Sequence, residues 1–267
     1  MKIGFVGVGN LASAVITGSI NSGAFKGEDF TLYDLFQKKV EDTCAKFGTN
    51  SVRSANEVAS SCDVVILAVK PKDFSSLLES LAADFQKNNP FIISVAAGLT
   101  VDFIASFLPY EAKVARIMTN INASVGGAMT AYCTNEKVSK EEELFLDSFC
   151  KSFGDAIKLD EQLFPQFSVL AGCVPAFAYK FVDELARAGV KIGVAKNMAL
   201  RIAAQTVLGS AKAVLQSDAH PYELIDRVCT PAGTTIDGIS ALMENGFENA
   251  VMKAVESSYN KDKALKK

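Results

Sequence analysis

Gly7, Gly9 and Ala12 stand in the spacing Gly-x-Gly-x-x-Ala, between an apolar run from Ile3 to Val6 and a helix-forming stretch from Leu11 to Ile20. That spacing suits a pyrophosphate. Gly7 permits a tight turn, Gly9 lets the backbone approach the phosphates, and Ala12 keeps the helix close to the strand so that free N–H groups face the ligand. Gly7, Gly9, Asn10 and Leu11 are therefore the first candidates for binding a dinucleotide. Glycine-rich turns also form for packing reasons alone, and it is the position between strand and helix that favours the ligand. Asp34 follows about 20 to 25 residues beyond the glycine turn, where a carboxylate accepts hydrogen bonds from an adenosine ribose. A carboxylate there repels a 2′-phosphate and favours NADH. Lys38 and Lys39 stand close enough to tolerate that phosphate, so NADPH stays open, although both also fit the solvated face of a helix.

Two further groups end apolar runs, Ala68-Val69-Lys70-Pro71 and Ser94-Val95-Ala96-Ala97-Gly98. In a parallel sheet such ends form the ligand-binding edge, and small residues there leave room for a flat ring. Lys70 is either a general acid or a positioning, solvated residue. Thr119 and Asn120 close the next run, where they could hydrogen-bond a carboxamide or main chain; Asn120 reads equally well as a turn or helix cap. The chain has one histidine, which excludes a His-based metal cage, and no metal is expected. That residue, His220, precedes Pro221 and reads as a loop or cap residue.

Short β-branched runs at 2–7, 30–33, 63–69, 91–95 and 112–118 alternate with helical patterns, among them 74–85 with Leu77, Leu78, Leu81 and Phe85 on one face. An edge strand is expected at 128–133 and a helix at 139–153. From Phe164 onward alternation gives way to Ala- and Leu-rich helices at 164–188, 195–216, 236–245 and 247–259. The pattern predicts an α/β fold: an N-terminal Rossmann-like doubly wound parallel sheet over residues 1–160 and an all-helical C-terminal domain over 161–267. Phe177, Phe181, Ile202, Val207 and Leu215 line the helical faces. They either pack on one another or form a dimer interface, and so apolar a domain favours the dimer.

A hydrophobic fraction of 49% with 21% charged residues fits a core-forming chain of 267 residues. A net charge of -3 without clustered Lys and Arg argues against nucleic acid and anionic membrane as partners. Lys261, Lys263, Lys266 and Lys267 read as a solvated, frayed helix end. Six widely spaced cysteines, no targeting segment and no apolar run of membrane length point to reduced thiols and a cytoplasmic protein.

Five blocks in order, Gly7-Val-Gly-Asn-Leu-Ala12, Asp63-Val-Val-Ile-Leu-Ala-Val-Lys-Pro71, Ser94-Val-Ala-Ala-Gly98, Arg116-Ile-Met-Thr-Asn120 and Thr230-Pro-Ala-Gly-Thr-Thr235, resemble the pyrroline-5-carboxylate reductase family. The resemblance runs from the first strand to Tyr259. It implies an oxidoreductase that reduces the cyclic imine 1-pyrroline-5-carboxylate to L-proline with NAD(P)H, the last step of proline biosynthesis. It also implies a homodimer through interleaved C-terminal helices, with dimers often built into larger rings. By the same resemblance, exposed N–H groups of Gly233, Thr234 and Thr235, at a helix beginning near Ile236, would hold the substrate carboxylate. The Thr235 hydroxyl would bond the ring nitrogen, with Asp218 a secondary candidate beside the substrate. Thr234 or Thr235 serving only as an N-cap is the alternative.

Departures from the family pattern are expected to matter. Ala171-Gly-Cys-Val-Pro-Ala-Phe177 stands for the usual Ser-Gly-Ser-Gly-Pro-Ala-Tyr, Ile121-Asn122 for Thr-Pro, and Ala55-x-Glu57 for Asn-x-Glu. Ala232 replaces a glycine and is tolerable only with φ below zero. Gly193-x-x-Lys196-Asn197 superficially resembles the lysine region of β-hydroxyacid dehydrogenases, so a dehydrogenase, a reductase acting on another imine, or a non-catalytic dinucleotide-binding protein are the competing readings.

Overall fold

In the computed structural model, residues 1–265 are described, the Leu265 side chain apart; Lys266 and Lys267 of the expected helix end lie outside them. Among the described residues eight strands form one sheet: β1 (Ile3–Val6), β2 (Phe30–Tyr33), β3 (Asn50–Ser51), β4 (Val64–Leu67), β5 (Phe91–Ser94), β6 (Val114–Met118), β7 (Ala128–Thr134) and β8 (Gly154–Lys158). Their order is β3-β2-β1-β4-β5-β6-β7-β8, parallel except where β7 meets β6. β1, β4 and β5 are buried at every position, as parallel strands covered on both faces must be.

Helices α1 (Asn10–Asn21), α2 (Gln37–Phe47), α3 (Ala55–Ser61), α4 (Phe74–Asn88), α5 (Val101–Ser106) and α6 (Lys140–Lys151) cover the sheet. Val15 and Ile16 of α1, Val40 of α2 and Phe149 of α6 pack on one face with Phe5 and Phe30. Val58 of α3, Leu78 and Phe85 of α4 and Ile104 of α5 pack on the other with Val65 and Leu67. The expected doubly wound sheet is therefore present. Because β2 and β3 lie to one side of β1 while β4 to β6 lie to the other, the strand order reverses between β1 and β4, the point where such sheets open a crevice.

Two strands escaped the sequence pattern, and one was misplaced. β3 is two exposed polar residues, and β8 buries only Ala156, so neither carries a periodic signal. The strand expected at the edge, β7, is instead interior, because β8 pairs along its far side.

The chain divides into two compact units, residues 1–172 and 173–265. The helix expected over 164–188 is interrupted: α7 (Phe164–Phe167) is followed by a π-helical segment, Ser168–Cys173, and then α8 (Val174–Lys191). Phe164, Phe167 and Ala171 pack in the first unit's core. Pro175, at the start of α8, has no N–H to offer the Ala171 carbonyl four residues earlier, which is why the helical ladder changes pitch there. The second unit continues with α9 (Lys196–Leu215), α10 (Pro221–Asp226), α11 (Thr234–Glu244) and α12 (Phe247–Leu265), of which α10 was not foreseen. His220 caps α10, its Nδ1 accepting the Tyr222 N–H at 3.3 Å. Lys261 and Lys263 are exposed on α12.

The second unit buries little of its own. Ala186, Ala199 and Ala203 form its only buried cluster among the described residues, with Val182 and Val194 against it. Tyr179, Leu185, Ile202, Leu208, Leu215 and Met252 are all exposed. Of the residues expected on the helical faces, Phe177 and Val207 are half-buried and Phe181 meets the Phe247 ring at 6.1 Å, so the helices pack on one another in part, while Ile202 and Leu215 stay uncovered.

Candidate functional site

A cleft of about 640 Å³ opens in the first unit, lined by Gly7 and Gly9 after β1, Tyr33 at the end of β2 with Asp34 to Phe36 after it, and Ala68 to Lys70 after β4. It sits at the carboxyl ends of β1 and β4, where the strand order reverses. The turn at its floor is tightly specified: the Gly7 N–H donates to the Tyr33 carbonyl at 2.8 Å, and the Ala68 N–H donates to the Val6 carbonyl at 2.8 Å. Gly7 has φ +102°, and a Cβ there would lie 2.6 Å from the Ala68 carbonyl oxygen. At Gly9 a Cβ would meet nothing within 4 Å, so that face of the backbone is open to the cleft. Gly9 also opens α1 with no side-chain cap, whereas Ser54, Thr100 and Ser139 cap α3, α5 and α6. First-turn N–H groups of α1 are thus left for an anion. Three lysines (Lys39, Lys70, Lys72) face two aspartates (Asp34, Asp73) around the cleft, a balance that suits a phosphate-bearing ligand. An uncapped helix start, an open glycine and a cationic rim together fit a dinucleotide.

Of the sequence candidates, Gly7, Gly9, Asp34, Ala68, Val69 and Lys70 line this cleft; Asn10, Leu11, Pro71, Ala97, Gly98 and Asn120 do not. Asp34 is bound to the protein itself, its Oδ2 accepting the Val8 N–H at 2.6 Å and its Oδ1 the Phe36 N–H at 2.8 Å. Lys38 and Lys39 part company, since Lys38 pairs with Asp42 at 3.0 Å on the outer face of α2 while Lys39 lines the cleft. Asn120 takes the capping role: its Oδ1 accepts the Asn122 N–H at 2.9 Å, and its Nδ2 donates to the Ala171 carbonyl at 2.9 Å. That carbonyl is the one a proline four residues on cannot serve. Thr119 is likewise engaged, accepting from the Thr130 hydroxyl at 2.8 Å in the buried interior. Leu35, Phe36, Ser54, Lys72 and Ser76 also line the cleft and were not singled out. Only the position of Leu35 and Phe36, just past the end of β2, could have marked them.

In the second unit the motif Thr230 to Thr235 folds as a β-turn leading into α11. The Gly233 N–H donates to the Thr230 carbonyl at 2.9 Å, with Pro231 and Ala232 at the turn centre. α11 begins at Thr234, two residues before the expected Ile236, and its N-cap is Gly233 without a side-chain cap. Thr234 and Thr235 therefore lie inside the first turn, and neither is the N-cap. The Gly233 N–H, expected to face a carboxylate, is taken by the turn, which leaves those of Thr234 and Thr235. Asp218 is exposed between α9 and α10, and Lys196 is an exposed residue at the start of α9.

Ala232 does not meet the condition set by the sequence. Its φ is +57°, the left-handed value that the third residue of a Pro-containing type II turn requires and that glycine meets without strain. A left-handed L-residue costs about 1–2 kcal/mol, against about 0.5–1 kcal/mol of extra chain entropy lost by glycine. Ala232→Gly is therefore expected to stabilise the protein by about 0.5–1 kcal/mol, raising the unfolding temperature by a few degrees. A lower unfolding temperature would show that the turn is not strained.

The six cysteines are free thiols. Burial raises those of Cys62 and Cys150 and pushes Cys133 up to about 12, so these three are poor thiolate nucleophiles at neutral pH. Among the described residues no cluster of His, Cys, Asp and Glu could hold a metal, and no helix is long and apolar enough to cross a membrane.

Comparison with known proteins extends the likeness to both units. The profile described as "Pyrroline-5-carboxylate reductase dimerisation" matches residues 161–265, and that described as "NADP oxidoreductase coenzyme F420-dependent" matches residues 2–98. The chain is 35% identical over 266 residues to the pyrroline-5-carboxylate reductase of Escherichia coli, covering 100% of this chain and 98% of that one. It is 36% identical over 265 residues to the enzyme of the same name from Aquifex aeolicus, covering 99% and 97%. Among solved structures, the Plasmodium falciparum pyrroline carboxylate reductase with NADP bound superposes with a TM-score of 0.87 at 29% identity, covering 100% of this chain and 98% of that one.

Proposed function

The chain belongs to the pyrroline-5-carboxylate reductase family, and from that premise we infer that it reduces 1-pyrroline-5-carboxylate to L-proline with a nicotinamide dinucleotide, the closing step of proline biosynthesis. The observation that carries this reading is the likeness over the full length to reductases of that name, joined to a cleft at the β1/β4 crevice with the features of a dinucleotide site.

When bound, a reduced nicotinamide supplies the hydride. The chain's own share is binding and orientation, because a protonated imine is already electrophilic at carbon and needs no protein acid to activate it. We assign the pyrophosphate to the backbone of the Gly7–Gly9 turn and the first turn of α1, which includes Asn10 and Leu11. Ala68, Val69, Lys70, Pro71, Ala97 and Gly98, at the carboxyl ends of β4 and β5, are assigned to the rest of the cofactor. Asn120 supports the fold of that edge through its bonds to Asn122 and Ala171.

The N–H groups of Thr234 and Thr235 are proposed to hold the substrate carboxylate at the positive end of α11. The Thr235 hydroxyl bonds the ring nitrogen as the imine becomes an amine, and Asp218 is the acidic residue that stands by. Asp34 favours NADH by repelling a 2′-phosphate, and Lys39 on the same cleft keeps NADPH acceptable. The protein is a homo-oligomer. We place the contact in a homodimer formed by the helical residues from 161 onward, with larger rings open to it, in the cytoplasm.

The test is to follow NADH and NADPH oxidation with 1-pyrroline-5-carboxylate and with its six-membered homologue, in wild type and in Thr235→Ala. Loss of one hydrogen bond to a charged group costs about 1.5–3 kcal/mol, so kcat/KM should fall about 10- to 100-fold with dinucleotide affinity unchanged. Full activity in Thr235→Ala removes the substrate assignment, and a large advantage for NADPH removes the role given to Asp34.

A further inference from the structure

Leu35 and Phe36 stand at the mouth of the cleft with 86% and 68% of their surface exposed, outside both core clusters of the first unit. Single exposed apolar residues are ordinary; the way this pair is held is not. The two oxygens of Asp34 bond the Phe36 N–H and the Val8 N–H, so one carboxylate ties the tip to the glycine turn across 26 residues. The Phe36 carbonyl accepts the Lys39 N–H at 3.0 Å, and the Lys39 Nζ lies 5.2 Å from the centre of the ring. Phe36 is also the N-cap of α2, a position where a Ser, Asp or Asn would satisfy free N–H groups and a phenylalanine satisfies none. The helix gains nothing from an aromatic there, and the core gains nothing either.

We propose that Phe36 is the platform on which the adenine of the bound dinucleotide stacks, with Lys39 beside it as a cation close to both rings. This rests on reading the cleft as the dinucleotide site. Stacking on an aromatic face uses the flat surface of the base and ignores the ribose substituent, so NADH, NADPH and 5′-AMP gain from it alike. Lys39 adds an attraction between its ammonium and the stacked rings. Anchoring the tip to the phosphate-binding turn presents the platform and the turn as one prepared surface, which lowers the ordering cost of binding.

The experiment is a titration of full-length wild type, Phe36→Ala, Phe36→Leu and Phe36→Trp with NADH and NADPH, followed by nicotinamide fluorescence, and with 5′-AMP by calorimetry. Phe36→Ala and Phe36→Leu should weaken all three ligands by a similar factor, about tenfold, while Phe36→Trp keeps or improves the affinity. Wild-type affinity for all three ligands in Phe36→Ala overturns the proposal. So does a Phe36→Leu variant that binds as wild type, since bulk and not the aromatic face would then suffice. A Phe36→Ala variant that changes its sedimentation but not its nucleotide affinity also overturns it, because the ring would then serve a protein contact. If wild type itself binds none of the three nucleotides, the cleft assignment falls and this inference with it.

Discussion

Gly7→Ala should lose dinucleotide affinity by more than about 100-fold. The new Cβ would meet the Ala68 carbonyl oxygen at 2.6 Å, and the backbone would have to keep φ +102°, where an L-residue is strained. Relief requires the β1 turn to move away from Ala68, which opens the hydrogen bond from the Gly7 N–H to the Tyr33 carbonyl and disperses the N–H groups at the start of α1. Stability falls as well, so affinity and unfolding temperature should drop together. Gly9→Ala separates the two effects. Its Cβ has nothing within 4 Å, so the unfolding temperature should hold while the methyl obstructs the approach of a pyrophosphate. Titration by nicotinamide fluorescence, paired with thermal unfolding, checks both variants. Wild-type affinity in Gly7→Ala would mean that the phosphates bind elsewhere.

Ile202→Asp should convert the assembled protein to monomer at micromolar concentration. Ile202 is 53% exposed on α9, in a unit whose buried cluster among the described residues is three alanines, and it belongs to the uncovered apolar face on which the homodimer contact is proposed. A carboxylate placed in an apolar contact costs several kcal/mol if left unpaired. In a two-fold interface the substitution enters twice, which doubles the cost. Sedimentation equilibrium gives the reading, and near-UV circular dichroism would show whether the helical unit keeps fixed side-chain packing once separated. An unchanged oligomer would place the interface on another face of the helices.

Much of the first unit could be read before it was folded. Near-continuous apolar runs announced β1, β4 and β5, since strands covered on both sides carry few polar residues; Ser94, buried at the end of β5, is accommodated by accepting the Ala96 N–H. The spacing Gly7-x-Gly9-x-x-Ala12 announced the strand-to-helix turn because each small residue answers a local steric demand. β3 and β8 carried no such signal, their place in the sheet being set by neighbours instead of by their own composition. The edge position expected for β7 failed for the same reason. The break in the helix after Phe167 was written in Pro175, yet its consequence for Asn120 was not. Finding that the free carbonyl of Ala171 is met by Asn120 requires two segments 51 residues apart to be in place.

What this chain's residues determined by themselves was therefore the class of fold, the glycine turn, the excess of apolar helical surface and the likeness to a family of reductases. All of these are properties of short spacings or of pattern summed along the chain. Tertiary structure alone decided that Lys39 and not Lys38 meets the cleft, that Asp34 spends both oxygens on backbone, and that Ala232 sits at φ +57°. The physical reason is the same in each case. A hydrogen-bonding or charged group takes whichever partner the packing brings within about 3 Å, and identity at one position does not say which that will be.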